Sequence, residues 1–562
     1  MDFALAHGLS GIVCAYASVQ APMLAGLARG RAAAHRYLAS PLVAAPLTGI
    51  AGLGMAAAAP MLAGLGIVPH GLVEIALGTG LGATLGYAGG RAAAQSADST
   101  THRRGAMVQD AMPHSYSRQL ESAIDRHVTL AGAPLAVADE SKHFKFIGTT
   151  GTGKSTAIQE LLGSALQRGD RAVIADPDGG YLKRFFEPAR GDIVLNPFDA
   201  RSVKWDLFGE IENGYDVEQL ARSLIPDHEG ADRSWRGYAR TFFSAVTRQA
   251  HEAGTTDLGE LYRLLVVADT HELRTLVRGT PAQPFLDEHN SRMFDSIRSV
   301  TSSAVGAIDY IAQQEAPRLS IRQWVKNDSP GVLFIPYKAG QIAALRSTIS
   351  AWMRLAMFET MNRDEQSDER THPDDRRLWF VVDELDALGQ IDGLKDALAR
   401  MRKFGGRCLL GFQSIAQVSG TYGASEAQTI VENCGNTLIL RCSAGEGGGT
   451  ARFASQLIGE REVLRTSVSR SRRYTEVLGS VSRSEHYAVE PAVLPSQIEQ
   501  LPDLAGYMKQ ASNPEWRQVR LDAVRRWNER RSTCGGTAYP TREAPRTRET
   551  LLASVENGNS HE

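Results

Sequence analysis

Residues 148–155 read Gly-Thr-Thr-Gly-Thr-Gly-Lys-Ser and fit the spacing G-x-x-x-x-G-K-[ST]. That spacing suits phosphate binding. Gly148, Gly151 and Gly153 let the backbone curl until its N–H groups point at phosphate oxygens. A helix starting at the end of the loop adds the partial positive charge of its N-terminus. Lys154 is placed to reach the β- and γ-phosphates, and the Ser155 hydroxyl to hold Mg2+. The expected nucleotide-contacting set is Gly148, Thr149, Thr150, Gly151, Thr152, Gly153, Lys154, Ser155 and Thr156, with ATP as the nucleotide.

A second constellation lies in LWFVVDELDALG (378–389). A hydrophobic strand there delivers Asp383 and Glu384 at its C-terminal end, where ligands sit in open α/β sheets. Asp383 is the expected Mg2+ ligand and Glu384 the group that orients and polarises an attacking water. Phosphoryl transfer needs that pairing more than it needs covalent chemistry. Asp386 reads as the cap of a following helix. Gln413 ends the run RCLLGF (407–412). It either senses the γ-phosphate as part of the catalytic set or is a polar residue ending a strand. Asp176, in ADPDGG (175–180), either touches the nucleotide or makes a turn with Pro177 and Gly179, the reading we favour. Arg402, Arg407 and Arg441 are candidates for an arginine offered to a neighbouring subunit, against the plainer reading as salt-bridge residues. The Ser/Arg-rich stretch 461–484 suits a phosphate backbone path or a solvated β-hairpin.

The elements that must position these residues follow from periodicity. Short β-rich runs occur at 143–148, 171–176, 192–196, 331–337, 378–383, 407–412 and 436–441. Strands alternating with helices predict an α/β fold with a mostly parallel sheet covered on both faces. Between about 205 and 325 only helical runs occur: 232–249, 257–268 and 291–313. Trp235, Tyr238, Phe242 and Phe243 share one side of the first, which core packing explains. The division expected is a nucleotide-binding domain over 105–204 and 326–520, an inserted all-helical domain over 205–325, and a disordered tail over 521–562.

From Pro41 to Val73 no side chain is charged, taking His70 as neutral. Crossing a bilayer takes roughly 20 apolar residues. Spans near 42–67 and 71–90 are therefore expected, as a hairpin, with a possible extra span at 3–27 and 1–104 as a membrane anchor. A buried Ala/Gly-rich hairpin is the alternative. Arg29, Arg31 and Arg36 before the hairpin and Arg91, Arg103 and Arg104 after it keep both flanks, and the bulk of the chain, in the cytoplasm. A chain of 562 residues exceeds one core, and its 22% of charged residues exclude a simple membrane bundle. The net charge of -2 argues against a uniformly basic surface but allows a local basic lining. Five cysteines without a C-x-x-C pair point to reduced thiols rather than a zinc site.

Taken in order, the apolar N-terminus, GTTGTGKST, DPDGG, NPFD (196–199), the helical stretch, GVLFIPY, FVVDELDALG, RKFGGRCLLGFQS and LPSQIEQLP (494–502) resemble the coupling proteins of type IV secretion systems, the TraD/TrwB type of bacterial conjugation. The resemblance covers about residues 40–515. It implies a RecA-like P-loop ATPase that assembles as a homo-hexamer on the bacterial inner membrane. Its implied partners are a relaxase–single-stranded DNA complex and the inner-membrane components of the secretion system. The site residues it implies are Lys154, Ser155, Asp383, Glu384 and Gln413. Two alternatives keep the nucleotide site: a receptor for protein effectors, and a nucleotide-gated membrane adaptor without translocation.

Overall fold

A computed structural model of the chain describes residues 2–29, 37–49, 84, 87, 99–109, 127–227, 232–327, 330–363, 377–445, 448–471 and 480–522. They divide into two compact units. One takes Met1–Gly105 with Arg461–Glu490, the other Ala106–Glu460 with Pro491–Glu562.

The larger unit is built on a ten-stranded sheet. Its strands are β1 (Val108–Gln109), β2 (Phe144–Ile147), β3 (Arg171–Pro177), β4 (Ile193–Val194), β5 (Val332–Tyr337), β6 (Leu378–Val382), β7 (Gly406–Phe412), β8 (Asn436–Ile439), β9 (Ala505–Lys509) and β10 (Trp516–Arg520). Their spatial order is β1-β10-β9-β8-β2-β7-β6-β3-β5-β4. From β8 to β4 every neighbouring pair is parallel, while β9 runs antiparallel to both β8 and β10. The sheet is therefore mixed. All seven runs read as strands form strands. Those at its centre are buried throughout, which is why they read as continuous apolar runs rather than alternating ones.

Eight helices matter for the site and its surroundings: α1 (Lys154–Gln167), α2 (Gly180–Phe185), α3 (Gly214–Leu224), α4 (Arg233–Glu252), α5 (Ser291–Val305), α6 (Ile321–Lys326), α7 (Ile342–Met361) and α8 (Ile415–Tyr422). The chain leaves the sheet through Lys204–Trp205 and returns through Arg318–Leu319, and these two short segments pair in parallel. Between them the described residues form helices and turns only. Helix α4 buries Ala239, Phe242, Phe243, Val246 and Ala250, an apolar stripe at helical spacing. Phe242 meets Phe294 of α5 edge-on, with ring centroids 5.2 Å apart. Core packing thus accounts for Phe242 and Phe243, whereas Tyr238 is partly exposed. The helical stretch does not own a separate core: Trp205 packs edge-on against Trp352 of α7, and one apolar cluster runs from these helices to the sheet.

Asp386 differs from its expected role. Residues 385–388 form a turn closed by the Gly389 N–H on the Asp386 carbonyl, and the next helix starts only at Leu394. The turn sets Asp386 apart from that helix, whose N-cap position is Gly393.

In the smaller unit, a helix over Asp2–Arg29 packs on the helical residues 37–49 through Val19, Met23, Leu27 and Ala44, and Gln20 donates to Ser40 at 2.7 Å. The strand Ser99–Gly105 joins Glu460–Ser471 and Ser480–Pro491 in a three-stranded sheet. The described parts of the Ser/Arg-rich stretch, 461–471 and 480–484, are thus strands of a sheet, and Arg461 and Arg465 pair with Glu490. Among the described residues no helix is long and apolar enough to cross a membrane. The possible span at 3–27 is a helix, but its Gly, Ala, Ser, His and Gln content dilutes it. The expected spans at 42–67 and 71–90, apart from 42–49, 84 and 87, lie outside the described residues, as does the expected tail beyond Asp522.

Candidate nucleotide site

The glycine loop connects β2 to α1. The Gly148 N–H donates to the Phe412 carbonyl at 3.3 Å, and Thr149 donates to the Arg441 carbonyl through its N–H (2.9 Å) and its hydroxyl (3.2 Å). The loop is therefore pinned to the ends of both flanking strands, β7 and β8. A Cβ at position 148 would stand 2.9 Å from Leu440 and Thr152, so only glycine fits. Gly151 (φ +78°) and Gly153 (φ +115°) hold left-handed conformations open to glycine. The Thr152 hydroxyl closes the loop on the Thr149 carbonyl at 2.8 Å.

Lys154 is buried, and its Nζ donates to the Gly148 carbonyl at 2.6 Å. Burial pulls its pKa below the usual lysine value, against the opposing pull of Asp383 and Glu384. Ser155, one residue on, donates to Asp383 Oδ2 at 2.7 Å. Thr156 is half-buried in the first turn of α1.

Asp383 leaves the end of β6, two strands from the loop, with β7 between them. Tyr181 of α2 donates to the same Oδ2 at 2.7 Å. The other oxygen, Oδ1, is buried and makes no hydrogen bond among the described residues. A buried carboxylate oxygen left open costs about 1–3 kcal/mol or more. Its position beside the Ser155 hydroxyl provides the all-oxygen donor set a hard divalent cation prefers. The residues present fit Mg2+ on that observation.

Gln413 bridges the loop and the second acid. It accepts from the Thr150 hydroxyl at 3.0 Å and donates to Glu384 Oε1 at 3.4 Å. Burial, followed by the neighbouring charges of Asp383 and Asp386, raises the Glu384 pKa above the ordinary carboxylate range. The two strand ends meet because β6 and β7 run close: a Cβ at Gly411 would lie 2.2 Å from the Asp383 carbonyl.

The remaining candidates separate. Asp176 ends β3 and accepts the N–H groups of Tyr181 (3.1 Å) and Leu182 (2.7 Å), so it starts α2. Burial pushes it up to about 6. This is the turn reading. Arg407 is buried and paired with Glu140 at 3.2 Å, which removes it as an arginine for another subunit. Arg441 pairs with Asp503 at 2.7 Å. Arg402 is exposed on the turn Met401–Phe404.

Sequence reasoning missed three residues here. Tyr181 follows the glycine pair 179–180, a helix-start signal that places it over β6. Tyr337 ends β5 with a buried hydroxyl that has no hydrogen-bond partner among the described residues. Leu504 (φ +64°) donates its N–H to the Thr152 carbonyl at 2.9 Å and leans on Gly153. No local pattern announces that contact.

A glycine loop between strand and helix, faced by an acid from a strand two places away, defines an α/β protein of the P-loop type. The chain belongs to the type IV secretion-system coupling proteins: residues 127–522 match the family described as "Type IV secretion-system coupling protein DNA-binding domain". It is 31% identical over 403 residues to the coupling protein TraD of Escherichia coli strain K12, an alignment covering 70% of this chain and 55% of that relative. The chain thus spans little more than half of TraD. Among solved structures, the unbound bacterial conjugative coupling protein TrwBdeltaN70 is similar at 31% identity and a TM-score of 0.64, covering 75% of this chain and 94% of that one. The plasmid coupling protein TrwB in complex with ADP and Mg2+ is similar at 30% identity, with the same TM-score and coverage.

Proposed function

We propose that this protein is a membrane-anchored, DNA-dependent ATPase that couples a relaxase–DNA complex to a type IV secretion channel and drives single-stranded DNA transfer. The observation that carries the ATPase reading is the joint geometry of Ser155, Asp383 with its open Oδ1, and the chain Thr150–Gln413–Glu384. Ser155 and Asp383 would hold Mg2+, which would neutralise charge on the nucleotide phosphates. Backbone N–H groups of 148–155 cradle the phosphates. Lys154 exchanges its bond to the Gly148 carbonyl for a phosphate oxygen. Glu384, with its raised proton affinity, orients and accepts from the attacking water. Gln413, a neutral amide, ties the position of Glu384 to the loop that holds the nucleotide.

The DNA cargo is supported by the family, whose matched region is described as a DNA-binding domain, and the nucleotide by TrwB, whose structures include the ADP–Mg2+ complex. We read 105–204 with 326–520 as the RecA-like motor domain and 205–325 as an all-helical domain facing the DNA. Inner-membrane anchoring through residues 1–104, beside the secretion system's own inner-membrane components, is supported by the exposed apolar side chains Leu38, Leu42 and Val43. A homo-hexamer supplies what the single site lacks: among the described residues no arginine bonds Asp383, Glu384 or Gln413, and exposed Arg402 is the candidate from a neighbour.

The test is ATP hydrolysis by the full chain in detergent, with and without single-stranded DNA. DNA raises turnover. Lys154→Thr abolishes it, and Glu384→Gln lowers kcat by about 10²–10⁴-fold while nucleotide still binds. Absence of hydrolysis in every condition would sink the motor reading, and binding without turnover would favour the adaptor.

A further inference from the structure

Arg354 lies in α7, away from the nucleotide site, and is only 3% exposed. Its guanidinium is shared between two elements distant in sequence. Nε donates to the Asp392 carbonyl at 3.1 Å and to Asp392 Oδ2 at 3.2 Å. Nη1 donates to Ser223 Oγ at 3.0 Å and the Gln219 carbonyl at 3.3 Å, and Nη2 to Gln219 Oε1 at 2.9 Å. Its face lies 4.1 Å from the Phe358 ring centroid. Phe358 in turn abuts Gly393, where a Cβ would fall 2.8 Å from the ring.

The two elements are informative. Asp392 closes the segment that begins with Asp383 and Glu384. Gln219 and Ser223 belong to α3, the first long helix after the chain leaves the sheet. The segment 383–392 has other holds on the motor side: Ser350 donates to the Leu388 carbonyl at 2.5 Å, and the Tyr422 hydroxyl of α8 contacts Ile391 N–H and the Gly389 carbonyl. Asp386, Leu388 and Gln390 line a cavity of about 950 Å³ that is also lined by the end of α3, the start of α4 and residues of α5 and α7. The segment is therefore tied to α7 and α8 at Leu388, Gly389 and Ile391 and to Arg354 at Asp392, with Asp386 and Gln390 lining the cavity. A buried guanidinium is expensive to desolvate, and apolar packing of similar volume would serve stability as well. What apolar packing would not do is hold α3 in register with the loop that follows the catalytic acids.

We infer that Arg354 is a positioning residue that transmits the nucleotide state from the Asp383–Asp392 segment to α3, and through it to the helical stretch. A shift of Asp392 on nucleotide binding carries the guanidinium with it. Three of its five hydrogen bonds end on α3, which must follow or break them.

The experiment is peptide-resolved amide hydrogen exchange on the full chain, with and without the β,γ-imido analogue of ATP. In the unaltered protein the analogue changes exchange both in 384–392 and in α3. In Arg354→Met the response of 384–392 persists and that of α3 is lost. A second variant, Gln219→Ala with Ser223→Ala, removes only the side-chain contacts on α3 and keeps the buried charge paired with Asp392. It shows the same loss if Arg354→Met does not fold. An α3 response equal to that of the unaltered protein in the folded variants, or no α3 response in the unaltered protein, overturns the inference. A second arm rests on the DNA-motor reading above. Binding of single-stranded DNA and of the analogue is coupled, by a factor of about 5–150 in such systems, and the factor falls to near one in the variants. If the unaltered protein shows no such factor, the DNA reading fails, and the exchange experiment still decides the role of Arg354.

Discussion

Asp383 serves two demands with one carboxylate. Oδ2 takes hydrogen bonds from both Ser155 and Tyr181, and this leaves Oδ1 open. Two donors on one oxygen fix the plane of the group, so the open oxygen has a set direction before any cation arrives. Tyr181 itself is held by Asp176, which accepts its backbone N–H. Second partners of this kind typically contribute 10–100-fold to metal affinity or activity. Tyr181→Phe should therefore raise the Mg2+ concentration for half-maximal hydrolysis by about 10–100-fold, with ATP binding in the absence of Mg2+ unchanged. An unaltered Mg2+ titration would show that the hydroxyl plays no part in orienting Asp383.

At the scale of elements, the passage between sheet and helices is closed by Glu210. It accepts Trp205 Nε1 (3.1 Å) and Ile321 N–H (2.6 Å) on one oxygen and Arg322 N–H (2.9 Å) on the other. It thus ties the outgoing segment to the start of α6. Burial pushes its pKa from 4.5 up to about 7 despite those bonds. Between these values the folded chain holds a proton that the unfolded chain releases. Stability from this group is therefore full below the ordinary carboxylate range and declines as pH rises from about 4.5 to about 7. Thermal unfolding followed from pH 5 to 7.5 should show that decline in the unaltered protein and a flatter profile in Glu210→Gln. Equal slopes would refute the assignment. The strands of the central sheet were readable because each is a local apolar run. The helical stretch was readable for the same reason, through its period. Glu210 was not, since a lone glutamate after a short turn carries no signal until Trp205 and α6 are brought to it. Asp386 misled because a strand ending in acids usually enters a helix at once, whereas here a turn intervenes.

At the scale of the molecule, the proposed homo-hexamer would let a second copy complete the site. Lys154 and Arg402 belong to different sites if exposed Arg402 serves a neighbour. Lys154→Thr and Arg402→Ala proteins should each be nearly inactive, and mixing them should restore turnover well above the sum of the two. Mixing without recovery would place Arg402 outside the shared site. The chain's own residues determined the P-loop at 148–155, the acid pair Asp383–Glu384 and the family resemblance. Each of these is written in consecutive residues, where glycine freedom, apolar runs and helix starts act over a few positions. The N-terminal apolar runs were equally local. Among the described residues no helix there is long and apolar enough to cross a membrane, and most of the two expected hairpin spans lies outside the described residues. Only the tertiary structure decided which side chains meet. The order β2-β7-β6-β3-β5 brings Gln413, Glu384, Asp383 and Asp176 to one edge. The return of the chain after β8 lays Leu504 on Gly153, and the path of α7 sets Arg354 between Asp392 and α3. Strand order and crossover direction arise from burial and pairing summed over the whole sheet. No window of sequence contains them.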